Sequence, residues 1–184
     1  MNCNAKQTVV IFSGLPYSGK TVIIQKLLER FPGQPIYVDG LFRNMVPEED
    51  VCLDRWLEEG RRLVDGMIEN ISHTDASFIY VEVGIMQMKH RKRLMDWIRD
   101  GNYHLLPILL RCDSRHSVQK RQTAREEQIK IRPDNLKIAI GLDELYGPIS
   151  EAFDEIMEWE KYHIIDTDKP IEENIDEICS LISH

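Results

Sequence analysis

The stretch GLPYSGKT, Gly14 to Thr21, satisfies the pattern G-x-x-x-x-G-K-S/T at every position. Glycines at both ends let the backbone turn its amide N–H groups inward, where they can cradle phosphate oxygens. Gly14, Ser18 and Gly19 belong to that cradle. Lys20 adds a point charge for the β- and γ-phosphates, and the Thr21 hydroxyl is a ligand for a magnesium ion bridging them. The apolar run TVVIFS before the motif reads as a strand, and KTVIIQKLLERF after it carries apolar residues at helical spacing. A helix beginning near Lys20 aims the positive end of its dipole at the same point. Strand, glycine loop and helix together predict binding of a nucleoside triphosphate such as ATP, with Mg2+.

A phosphate cradle is shared by kinases, motors and switches, so the acceptor side must come from elsewhere. Asp39 closes the second apolar strand in YVDGLFR, where a carboxylate could take the proton of an attacking hydroxyl. An aspartate capping a turn or helix is the competing reading, because VDG is ordinary turn chemistry. Glu82 ends the strand FIYVEVG, and a carboxylate among apolar residues needs a partner or a nearby metal. It could help hold magnesium through water, accept a hydrogen bond from the phosphate loop, or be satisfied by a neighbouring backbone group or arginine. RCDSRHSVQKRQTARE places Arg115, Arg121 and Arg125 on one helical segment. Arginines folding over a triphosphate would neutralise charge during phosphoryl transfer; otherwise they form a solvated helix face. The basic run KHRKR at Lys89–Arg93 is read as a solvated helix turn, and Trp56 and Trp97 as core.

The chain has 184 residues with 42% hydrophobic and 29% charged composition, which fits one globular domain spanning 1–184. A net charge of −8 argues against nucleic-acid binding. There is no apolar run of membrane-spanning length and no signal-peptide pattern, so no membrane partner and a cytoplasmic location are expected. Cys3, Cys52, Cys112 and Cys179 are scattered and read as reduced thiols, and the sequon at Asn70 is then a decoy. Six histidines show no paired metal-ligand spacing.

Stepping from the loop outward, IYVDG predicts a short second strand ending in a turn, and Glu48–Ile71 a helix with Trp56, Leu57, Leu63, Val64, Met67 and Ile68 inward. ASFIYVEVG and YHLLPILLRC predict buried strands, with a helix ending at Gly101 between them. A polar helical run covers Asp113–Lys130 before a break at Pro133. LDELYGPISEAFDEIMEWE predicts a helix kinked or split at Gly147-Pro148, KYHIID a last strand, and a last helix starts near Pro170. The alternation implies an α/β fold, a single parallel five-stranded sheet with helices on both faces. Ligands of such sheets bind beyond the carboxyl ends of the strands, where the glycine loop, Asp39, Glu82 and Arg111 all fall.

The succession GLPYSGKT, YVDGLFR, IYVEVG, LLRCD, RQTARE and IIDTDK resembles the chloramphenicol 3-O-phosphotransferase group of small P-loop kinases. More loosely, it is similar to the shikimate, gluconate, adenylylsulfate and zeta-toxin kinases. The resemblance runs from about Val9 to near the C-terminus. It implies a P-loop NTPase fold with an arginine-bearing lid at about 113–136, Asp39 as the base, and Arg121 and Arg125 as the lid arginines. It also implies that Asp166 and Thr167, in DTDK, lie near the adenine. Adenylylsulfate and gluconate kinases usually carry a second acid two positions after the first; Leu41 stands there, which argues against both substrates. The clusters PEED and LEEG suit a cationic acceptor or a solvated helix start equally. The resulting expectation is ATP-dependent phosphorylation of a hydroxyl on a small molecule, an antibiotic or related metabolite. A nucleoside or nucleotide-sugar kinase and a nucleotide-binding switch without an acceptor are the alternatives.

Overall fold

In the computed structural model, which describes residues 6–84, 86–131, 145–153 and 155–183, the apolar run Val9–Phe12 divides by parity between two cores. Successive side chains of a strand point to opposite faces, so an unbroken apolar run marks a strand covered on both. The strand is β1 (Gln7–Ser13). Val9 and Ile11 pack with Phe42, Leu63, Met67, Leu94 and Ile98 on one face. Val10 and Phe12 pack with Ile23, Ile24, Leu27, Ile175 and Ile178 on the other.

The remaining elements follow in alternation. They are α1 (Lys20–Arg30), β2 (Gln34–Tyr37), α2 (Val38–Met45), α3 (Leu53–Glu58), α4 (Gly60–Ser72), β3 (Phe78–Glu82) and α5 (Met88–Asp100). After these come β4 (Tyr103–Arg111), α6 (Arg115–Ile131), β5 (His163–Asp166) and α7 (Ile171–Ile182). The five strands form one parallel sheet in the order β2-β3-β1-β4-β5. The α/β fold expected from the sequence is therefore observed, with α2, α4 and α5 on one face and α1 and α7 on the other. Adjacent strands β1 and β3 send their following helices, α1 and α5, to opposite faces. That divergence opens a crevice at their carboxyl ends, the place where ligands bind in such sheets.

Three expectations about the elements are corrected. Asp39 does not close β2; the strand ends at Tyr37, and Val38-Asp39-Gly40 form the first turn of α2. The helix expected over Glu48–Ile71 is three pieces, a 3-10 turn at Glu48–Asp50 followed by α3 and α4. Of its predicted stripe, Leu63, Val64 and Met67 are fully buried, while Trp56 and Ile68 pack at the margin of the core. Among the described residues of the 145–160 region, helix is confined to the turns Leu145–Ile149 and Ser150–Ala152 and a 3-10 turn at Glu158–Glu160. The expected break at Gly147-Pro148 is present, with Gly147 at φ −112, ψ −107. Pro133 and the lid positions 132–136 lie outside the described residues. Among the described residues, no helix is long and apolar enough to cross a membrane.

Both tryptophans read as core do pack there. Trp56 meets Phe42 at 4.9 Å between ring centroids, and Trp97 meets Tyr103 at 5.4 Å. The basic run Lys89–Arg93 is not wholly a solvated turn. Arg91 is 2% exposed and forms a bidentate ion pair with fully buried Glu160, Nε to Oε2 at 2.7 Å and Nη2 to Oε1 at 2.9 Å. Two further donors meet the carbonyls of Met86 (2.7 Å) and Glu155 (3.0 Å), so the buried charge is both paired and hydrogen-bonded.

Candidate active site

The glycine loop leaves β1 by a conformation that only certain residues adopt. Gly14 has φ 143 and Gly19 φ 94, and a Cβ on Gly14 would collide with the Leu110 carbonyl of β4. Tyr17 is the one non-glycine residue of the loop in the left-handed region, at φ 62. Gly19 caps α1, so the helix starts at Lys20 and its N-terminus faces the loop. Lys20 is 7% exposed, and its ammonium donates to the carbonyls of Gly14 (2.9 Å) and Leu15 (3.0 Å) and to Ser18 Oγ (3.4 Å). Burial pulls the Lys20 pKa below its ordinary 10.5, against the nearby negative charges of Glu82 and Asp39, while Arg125 adds to the lowering.

Glu82 is the last residue of β3, in register with Phe12 on one side and Tyr37 on the other. Its carboxylate accepts the Thr21 hydroxyl proton at 3.1 Å to Oε2 and 3.3 Å to Oε1. Of the sequence alternatives for Glu82, the hydrogen bond to the phosphate loop is therefore present. Burial pushes its carboxyl above the usual range; Lys20 opposes the shift and the charge of Asp39 reinforces it. Asp39 is half-buried in the first turn of α2 and close enough for its charge to bear on both Lys20 and Glu82. Thr21 and Glu82 offer two hard oxygen donors. Among the described residues no group of three or more His, Cys, Asp or Glu is arranged to hold a metal ion. Such a sparse oxygen set fits magnesium, which keeps several waters and takes substrate phosphate oxygens, better than a metal that needs a protein cage.

The lid expected from the sequence begins with α6. Arg121 and Arg125 are one turn apart and share a helix face. Arg121 Nη1 donates to the Tyr17 carbonyl at 3.0 Å and to Thr167 Oγ1 at 3.2 Å, and its Nη2 donates to the Thr167 carbonyl. Arg125 lies over the Tyr17 ring, 5.9 Å from its centroid, and its charge reaches Lys20 and Glu82. Arg115 sits on the exposed first turn of the helix. Thr167 is buried and also donates to the Arg111 carbonyl at 3.0 Å, whereas Asp166 is exposed.

Sequence reasoning missed Asp168. Its Oδ2 accepts the backbone N–H groups of Asp113 and Ser114, both at 3.0 Å, tying the loop after β5 to the start of α6. Desolvation works against its charge, but hydrogen bonds from Ser117, Ser114, Cys112 and Asp113 outweigh it and hold the carboxyl below its ordinary value. The available signal was an acid just before a Lys-Pro break, in the loop after the last strand.

Beside the phosphate loop lies a cavity of about 280 Å³ walled by Leu15, Pro16, Leu110, Cys112, Val118 and Phe153. Behind the loop, Ser13 Oγ and Tyr162 Oη share a hydrogen bond of 2.7 Å, and burial pushes the Tyr162 phenol well above its usual range. The acidic pair in LEEG is neutralised within its own helices. Glu59 meets Arg55 and Arg62, both at 2.7 Å, and Glu58 meets Arg55 at 3.0 Å.

No family model and no curated protein sequence matches the chain. Solved structures do match it in fold. A sugar kinase from Janibacter sp. superimposes with a TM-score of 0.67 at 15% identity, over 96% of this chain and 95% of that one. A gluconokinase from Sinorhizobium meliloti gives 0.59 at 14% identity over 94% and 89%. The APS kinase of Mycobacterium tuberculosis, solved with AMPPNP and APS, gives 0.63 at 16% identity over 97% and 99%. At these identities the likeness is one of fold, an α/β architecture that these kinases share with this chain.

Proposed function

We propose that this chain is a magnesium-dependent kinase that moves the γ-phosphoryl group of ATP to a hydroxyl of a small molecule. One observation carries the reading: Lys20, Thr21, Asp39, Glu82 and Arg125 converge beyond the carboxyl ends of β1, β2 and β3. The loop amides and Lys20 hold the β- and γ-phosphates. Thr21 and Glu82 would hold magnesium, whose charge offsets that of the phosphates when it is bound. Asp39 accepts the hydroxyl proton as the acceptor oxygen bonds to the γ-phosphorus. The bond from that phosphorus to the β-γ bridging oxygen breaks, and ADP leaves. Arg125 neutralises charge on the transferring group, while Arg121, with Thr167 and Asp166 beside it, closes the nucleotide side.

The acceptor side, beside Asp39, favours a neutral molecule. Leu41, at the position of a second acid, turns with Met45 toward Gly66 of α4 instead of toward the phosphates. The LEEG carboxylates are already paired with arginines, so they offer a cation little. Dependence on ATP suits a cytoplasmic location for such an enzyme.

The test is ADP release from ATP and magnesium across phenicol, aminoglycoside, nucleoside, sugar and peptide antibiotics, each beside an acceptor-free control. Stimulation by one compound, with a matching phosphate added by mass spectrometry, supports the kinase and names its acceptor class. ATP turnover that no compound changes would turn the reading toward a nucleotide-binding switch.

A further inference from the structure

Two residues of α6 make contact with one residue of the phosphate loop, and a third shares an apolar cluster with it. Val118, Arg121 and Arg125 recur at the spacing of a single helix face. Val118 and Tyr17 belong to one small apolar cluster with Ile149, Leu15 and Leu53. Arg121 donates to the Tyr17 carbonyl, and Arg125 lies over the Tyr17 ring. The carbonyl is turned to Arg121 in a loop whose backbone at Tyr17 is left-handed, φ 62, a conformation uncommon for a residue with a bulky side chain. Such strain persists where surrounding contacts over-determine it, and it concentrates at functional sites. A smaller residue would adopt that backbone as well, so the aromatic ring must be explained by what it touches.

We infer that Tyr17 is a positioning residue whose ring holds Arg125 over the phosphate loop, making recognition of the γ-phosphate depend on it. The inference rests on the kinase reading above. A guanidinium on an aromatic face keeps its charge and leaves its N–H edge free to turn to an anion. The carbonyl of Tyr17 meanwhile keeps Arg121 committed to the loop and to Thr167. The two lid arginines are thereby given different tasks by one residue: Arg121 docks the helix, and Arg125 faces the terminal phosphate.

Calorimetric titration of the whole chain with AMPPNP and with ADP, both with magnesium, tests this. The proteins are wild type, Tyr17→Leu, Tyr17→Phe, Arg125→Gln and the Tyr17→Leu/Arg125→Gln double variant. Tyr17→Leu is expected to lose about tenfold in AMPPNP affinity, the scale of one desolvated cation–π contact, with ADP affinity little changed. Tyr17→Phe keeps the ring and should retain wild-type discrimination. Arg125→Gln should show the same selective loss, and the double variant no more than the larger single loss. Retained ADP binding also reports that each variant is folded. Equal losses of ADP and AMPPNP in Tyr17→Leu, unchanged AMPPNP binding, or additive losses in the double variant would overturn the inference and leave the kinase reading intact. A wild-type protein that binds neither nucleotide would remove the kinase reading and this inference with it.

Discussion

The Thr21 hydroxyl donates to the Glu82 carboxylate across 61 residues of sequence, joining the first turn of α1 to the end of β3. This contact sets the two oxygen donors of the proposed magnesium site side by side at the crevice between β1 and β3. Replacing Glu82 by Gln keeps an acceptor for Thr21 and removes the charge. We expect Glu82→Gln to retain its fold and to need at least about tenfold more magnesium for nucleotide binding, the usual range for a lost supporting interaction at a metal. A magnesium titration of AMPPNP affinity measures it. The raised Glu82 pKa gives a second sign: magnesium affinity should fall on acidification, starting at a pH above the ordinary carboxyl value of 4.5. An unchanged magnesium requirement in Glu82→Gln would remove the residue from the site.

Lys20 makes a prediction in the opposite direction of pH. Burial holds its pKa below 10.5 in the protein alone. A bound triphosphate favours the ammonium form and raises the pKa, so the complex holds more protons than the free protein between the two values. Affinity must then fall as pH rises through that interval. AMPPNP binding measured from pH 7 upward should weaken in the wild type. Lys20→Arg, which stays charged, should lose this pH dependence even where its absolute affinity is lower. Lys20→Ala should abolish triphosphate binding with the fold intact, and normal binding there would remove the phosphate-cradle assignment.

Asp39→Asn separates the general base from a residue that only starts a helix. An amide can still sit in the first turn of α2, so the fold and nucleotide affinity should be retained. It cannot accept the hydroxyl proton, and transfer to the acceptor should fall by about two to four orders of magnitude. Single-turnover transfer with the acceptor identified by the panel is the measurement. Transfer at the wild-type rate would return Asp39 to the capping role.

The parts of the molecule legible in the sequence are those governed by neighbours along the chain. The glycine loop needs its φ values locally, and the parity of Val9–Phe12 needs only a sheet covered on both faces. Asp39 was harder, because VDG has turn chemistry, whereas α2 starts there with Val38 and Phe42 buried against elements far away in sequence. Phe42 packs on Trp56, and the helix follows from that contact more than from propensity. Asp168 was illegible for the same reason, since the amides it caps lie 54 and 55 residues earlier.

Arg91 is the clearest instance, and it carries the last prediction. Five consecutive polar or charged residues, KHRKR, give no sign that the third one points inward, because its partner Glu160 is 69 residues away. Glu160 Oε1 also accepts the Met157 amide at 2.9 Å, so the pair fastens the 155–160 segment to α5. From there Tyr162 reaches Ser13, the residue immediately before the phosphate loop. Removing one partner strands a buried charge. Arg91→Met should therefore cost about 3–5 kcal/mol in denaturant unfolding, a large share of the stability of a domain this size. Removing both charges costs less than either single change predicts, because no ion is left unpaired. Arg91→Met/Glu160→Leu should accordingly unfold at a higher denaturant concentration than Arg91→Met alone. A double variant weaker than the single would mean that the pair's hydrogen bonds to Met86, Glu155 and Met157, and not its charge balance, hold the segment in place.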